Sequence, residues 1–214
     1  MRSPRAAAVA GLVFAAVMAT VMVLLRTAAP LQGDPTGWIS DSGRREQVQL
    51  AIALVPYAGI AFLWFIGVIR TRIGDREDRL FATVFLGSGL LFVALLFSGA
   101  AIMGAVLTLY STDASVPSST THLANAISAQ LLTTFAIRMA AVFALVTTSL
   151  GRRTGLLPRW LGVVGVLTGL VLLLVPVGVR WAILVFPAWV ALLSVFILVA
   201  ADHREDRAPD VPQD

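Results

Sequence analysis

The chain contains no cysteine, no lysine and only two histidines. Without cysteine there are no disulfides, thiol nucleophiles or thiolate metal sites, and redox chemistry says nothing about compartment. Without lysine there is no Schiff-base chemistry and no Ser–Lys pair. The two histidines, His122 and His203, sit at opposite ends of apolar runs, so a His-rich metal site is excluded. Charge is sparse at 13% of residues, and no Asp or Glu lies inside any long apolar run. Paired-carboxylate hydrolysis and the intramembrane acid of proton-coupled transport therefore have no residues to use. No glycine-rich phosphate loop is present, and no cofactor or metal is expected.

What remains is apolar. The hydrophobic share is 58% and the mean hydropathy +0.87, against about 45–50% apolar in soluble domains. The expected class is an all-α polytopic membrane protein. The sequence pI of 10.9 would point to nucleic acid in a soluble chain, but here the arginines cluster at the ends of apolar runs. That distribution orients a protein in a bilayer, so nucleic acid is not an expected partner.

Six runs are long enough to read as spans, at about 6–25, 47–69, 81–108, 124–150, 160–177 and 181–201. They form one transmembrane domain over 1–201, and the charged, proline-containing tail 202–214 reads as disordered. Arg2 and Arg5 precede the first run. Its length, and Arg26 in place of a small-residue cleavage site, favour a retained span over a signal peptide. Trp38, Trp160 and Trp181 fall where interfacial anchors are expected. Under this reading Arg2, Arg5, Arg70, Arg72, Arg76, Arg79, Arg152, Arg153, Arg159, Arg204 and Arg207 lie on one side. Only Arg26, Arg44, Arg45 and Arg180 lie on the other. The asymmetry predicts both termini in the cytoplasm of a bacterium, with the chain in its plasma membrane. The loops before the third and fifth spans share Arg-x-Gly (Arg72/Gly74 and Arg153/Gly155). That hints at a duplicated pair of spans, although any cytoplasmic turn uses these residues.

One cation has no aqueous address. Arg138 falls roughly midway between His122 and Leu150, near the bilayer midplane if the fourth run spans fully, where a charge costs about 2.5–3.5 kcal/mol on insertion scales. At 100° per residue Gln130, Thr134 and Arg138 share a face, a polar stripe aimed into the bundle. Two roles are open. In one, Arg138 locks helix register on a backbone oxygen such as that of Ile52, released by Pro56, on the Tyr57 hydroxyl, or against Trp64 or Trp189. In the other, Arg138, Gln130, Thr134 and Tyr57 line a cavity for an anionic headgroup or small anion, which guanidinium is shaped to hold. His122 and Asn125, one turn apart, read as helix-start polarity, with Glu46 and Gln49 within conceivable reach. Small residues are dense along the third run, and Gly165/Gly169 form a GxxxG, so close helix contacts are expected, within the chain or with a second membrane protein.

The run Arg138-Met139-Ala140-Ala141-Val142-Phe143, the turn Arg153-Thr154-Gly155-Leu156-Leu157-Pro158-Arg159-Trp160-Leu161-Gly162 and the later Phe186-Pro187-Ala188-Trp189 cover the last third of the chain. They resemble families of small bacterial six-span membrane proteins of unknown function, whose hallmark is a Gly-x-x-Pro-Arg-Trp turn entering the penultimate helix. The resemblance implies a six-helix bundle and no activity. The expected role is accessory, regulatory or assembly, without catalysis, among membrane lipids and through a homo-oligomer or a membrane-protein partner. The alternative is a small transporter or a lipid- or anion-binding protein using Arg138.

Overall fold

Apolar runs of this length have no way to satisfy backbone polar groups in lipid except by coiling on themselves. The computed structural model, which describes residues 4–28, 37–73, 79–112, 117–175 and 182–205, is helical throughout, with no strand among the described residues. The elements are α1 (Pro4–Ala28), a single turn α2 (Gly37–Ser40), α3 (Ser42–Ile73), α4 (Arg79–Thr112), α5 (Ser118–Gln130), α6 (Ile137–Arg153), α7 (Arg159–Leu174) and α8 (Ala182–Glu205). A wide π turn, Leu131–Ala136, joins α5 to α6 without a break in the rod. Four stretches are long and apolar enough to cross a membrane: Ala8–Ala28, Ser42–Arg70, Leu80–Thr112 and Ser119–Arg153. The apolar stretches Arg159–Leu174 and Leu184–Ala200 are shorter. The helices carry large apolar side chains outward, among them Leu50, Ile60, Leu91, Leu167 and Val195, as expected of a membrane protein.

Each long helix packs against two neighbours, in the circular order α1, α3, α4, α5–α6, α7, α8 and back to α1. Neighbours run antiparallel. On α4, Phe81 meets Arg153 at one end and Gly99 meets Ser128 toward the other. Gly162, Gly165 and Gly169 of α7 face Arg152, Thr148 and Leu145 in reverse order. Aromatic rings fill the ring's axis. Phe62 lies 4.7 Å from Phe14, 5.2 Å from Phe92 and 5.0 Å from Phe143, and Phe186 stacks on Trp189. A smaller apolar cluster closes one end, where Trp38 and Ile39 of α2 insert among Ala28, Val48, Met103 and Val106.

Several expectations are corrected here. Trp38 is 1% exposed, not an interfacial anchor, because α2 folds it inward over the ends of α1 and α4. Trp160 does stand at the surface, 54% exposed. The polar connections are shorter than the sequence suggests: α3 starts at Ser42, and helix resumes at Ser118. α7 stops at Leu174 and not at Val177. Val175 has already turned extended (ψ 129°), the conformation imposed on a residue preceding proline. Gly74 in the first loop of the suggested duplication, the interfacial Trp181 and most of the tail lie outside the described residues, whereas Arg153 and Gly155 of the second loop lie at the end of α6 and in the turn that follows it.

Candidate functional site

The end of α7 explains Arg138. A helix leaves its last carbonyls without intrahelical partners, and Pro176 ends α7 abruptly. The Val175 amide still donates to Val171 O at 2.9 Å, while the Val175 carbonyl accepts from Arg138 Nη2 at 3.2 Å. Arg138 thus caps a neighbouring helix in trans, placing a cation at the negative end of its dipole. The sequence expectation of a backbone partner holds in kind, but the carbonyl is Val175 and not Ile52. Both alternatives begin from a proline, and the one that ends a helix exposes its acceptor more fully than the one inside α3.

Arg138 lies near the middle of the candidate span Ser119–Arg153. The rod from Ser118 to Arg153 rises about 54 Å at 1.5 Å per residue, well beyond a hydrocarbon core of about 30 Å. Arg138 is level with the far end of α7, about 24 Å of helix away from the Arg152–Arg159 turn.

Of the four residues expected to line a cavity, Arg138 and Thr134 lie one turn apart on the half-buried side of the rod. Gln130 is exposed, because the π turn between it and Arg138 advances each residue by less than the 100° of an α-helix. Tyr57 is 65% exposed on the outer face of α3 and contributes nothing to Arg138. Trp64 also faces outward, and Trp189 is engaged with Phe186. Two polar atoms are left over: Arg138 Nη1 and Thr134 Oγ1 are buried with no hydrogen-bond partner. Beside them Thr133 Oγ1 donates back to Ala129 O at 2.8 Å, a local bond that competes with the helical ladder within the π turn.

The two best-formed cavities among the described residues measure about 20 and 10 Å³. Both are lined by apolar side chains such as Met22, Leu96 and Leu132, and neither includes Arg138. His122 is exposed, and no cluster of metal-ligating side chains occurs among the described residues. Sequence reasoning missed one interhelical bond. Ser128, 1% exposed, donates from Oγ to the Gly99 carbonyl of α4 at 2.8 Å, the small Gly99 allowing the approach. Its only signal was a serine at helical spacing from the apolar face of an otherwise polar segment. Compared with protein-family models, curated proteins and solved structures, the chain finds no match in any of the three.

Proposed function

We propose that the chain is a six-span helical protein of the bacterial plasma membrane with both termini cytoplasmic. Its role is accessory or assembly, exercised by helix contact and not by catalysis. The observation that carries the reading is the outward face of α4. Ala94, Ser98, Ala101 and Ala105 are all exposed at helical spacing, and a Cβ at Gly87 would meet nothing within 4 Å. In lipid, where helix association relies on close backbone approach, such a stripe is the surface a second helix fits best. The partner is a second copy or another membrane protein. The alternating antiparallel ring, which brings the start of α1 and the end of α8 to the same end, supports the even span count. The proposed likeness to six-span families rests on the turn Gly155–Trp160.

The absence of cysteine makes the test direct. Single cysteines at Ala94, Ala101, Val163 and Leu167 are oxidised in native membranes. Crosslinked product from the α4 positions but not from the α7 positions supports the reading, and equal yield from both faces refutes it. Labelling of cysteines placed over 111–121 from the cytoplasmic side would overturn the orientation.

The partnerless Nη1 of Arg138 beside Thr134 Oγ1 favours a second reading, an anion or lipid headgroup held at the end of α7. Retention of anionic lipid unchanged in folded Arg138→Gln removes it.

A further inference from the structure

We propose that the turn between α6 and α7, with the end of α3, is a binding site for the phosphate headgroup of an anionic phospholipid. The proposal rests on the membrane-spanning reading and is independent of Arg138, which lies at the far end of α6. Arg70, Arg152, Arg153 and Arg159 are exposed at this end of the bundle. None of the four pairs with a carboxylate among the described residues. At the opposite end the cations among the described residues are already engaged within the chain. Arg44 pairs with Asp41 at 3.5 Å, Arg45 donates to Ile39 O at 2.9 Å, and Arg26 has a partner as well. Among the described residues, the two ends therefore differ in how their arginines are engaged and not merely in arginine number.

The helix ends do not absorb that charge. A helix C-terminus carries about half a negative charge, whereas α6 places two arginines in its last turn, so an excess remains. α7 begins immediately afterwards with no acid in its first turn and no side-chain cap at Pro158, and contributes positive potential of its own.

Two of the four arginines are also held in place. Arg153 lies over the Phe81 ring at 4.3 Å from the centroid, and the Arg152 stem crosses the face of α7 where Gly162 leaves room. The turn itself is tied by Leu157 N–H to Gly151 O at 3.0 Å and Gly155 N–H to Arg152 O at 3.2 Å, with Gly155 at φ 70°. The exposed indole of Trp160 stands one residue from Arg159, suited to the level of the headgroups. Planar, weakly hydrated guanidinium is the side chain best matched to phosphate, and pre-positioning reduces the ordering cost of binding.

The test is lipid selectivity of the full chain. Protein extracted from membranes is exchanged into nanodiscs of phosphatidylcholine with a minor fraction of phosphatidylglycerol, and bound lipid is read by native mass spectrometry. Wild type is expected to retain phosphatidylglycerol preferentially, and inorganic phosphate is not expected to displace it. Neutralising one arginine near a surface weakens anionic-lipid attraction roughly fivefold, so R152Q/R153Q/R159Q should lose about a hundredfold in preference. R44Q/R45Q should keep it, as should R138Q. R159Q alone, expected to lose roughly fivefold, covers the case in which the triple variant unfolds. Equal selectivity in wild type and the arginine variants, equal loss in R44Q/R45Q, or full displacement by inorganic phosphate overturns the proposal. Recovery of the protein in the soluble fraction overturns the spanning reading on which it stands.

Discussion

Replacing Gly165 by alanine pushes one methyl group into the contact between α6 and α7, where no room exists. A Cβ at that position would coincide with Thr148 Oγ1 and lie 3.1 Å from both Thr148 Cβ and Cγ2. Thr148 is 0% exposed, so its hydroxyl cannot swing into solvent. Relief must come from separating the helices. That also strains the Gly169 contact one turn away, where a Cβ would meet Leu145 and stand 3.2 Å from the Ala141 carbonyl. Overpacking of this kind costs about 1–3 kcal/mol, a fall of roughly 3–10 °C in melting temperature for a chain of this size. Thermal unfolding of the purified protein in mild detergent reads the shift. Thr148→Ala in the same chain removes the hydroxyl and the methyl and should recover most of the loss, leaving only the 3.1 Å Cβ approach. Gly67→Ala serves as the control, since nothing lies within 4 Å of its Cβ position and helix propensity favours alanine by about 0.8–1.0 kcal/mol. If Gly165→Ala melts with wild type, or Thr148→Ala fails to restore it, the close α6–α7 packing is wrong.

Two further outcomes follow from the polar contacts. Ser128→Ala removes the bond to Gly99 O and should cost about 0.6–1.7 kcal/mol in the same melting assay, and an unchanged midpoint would show that α4 and α5 are held by packing alone. Arg138→Met gives up a charge-assisted bond worth about 1.5–3 kcal/mol and removes a buried N–H group whose lack of a partner costs about 1–3 kcal/mol, so stability should stay within about 1 kcal/mol of wild type. Hydrogen exchange at Val171–Val175 should nonetheless rise as the end of α7 loses its cap. A much larger loss would mean that Nη1 has a partner the protein depends on.

The helices were legible in the sequence because their signals are local. Long apolar runs, Pro158 before α7 and the glycines of α7 each specify a conformation or a fit through a few neighbours. Arg138 was legible as a problem and not as a solution. Its partner is set by where a different helix ends, and the cue, Val175 followed by Pro176, lies far along the chain. Gln130 was misplaced because a constant 100° rotation cannot anticipate a π turn. Tyr57 was misplaced because a proline inside α3 says which carbonyl is released and not which way the helix is turned. Trp38 was misread for a related reason: in lipid-facing chains tryptophan favours the interface, but a single turn such as α2 has no apolar face to bury except the one that carries it inward.

The closed ring of helices carries a consequence for synthesis. Gly11 of α1 is the notch into which Ser194 of α8 fits, so α1 finds one of its main neighbours only in a helix made much later. Until α8 leaves the ribosome, the side of the nascent bundle that holds Phe14 and Phe62 stays open to lipid or to a chaperone. α8 is therefore the stave that closes the ring onto α1, and a chain arrested before it presents an unfinished aromatic wall to the quality-control machinery.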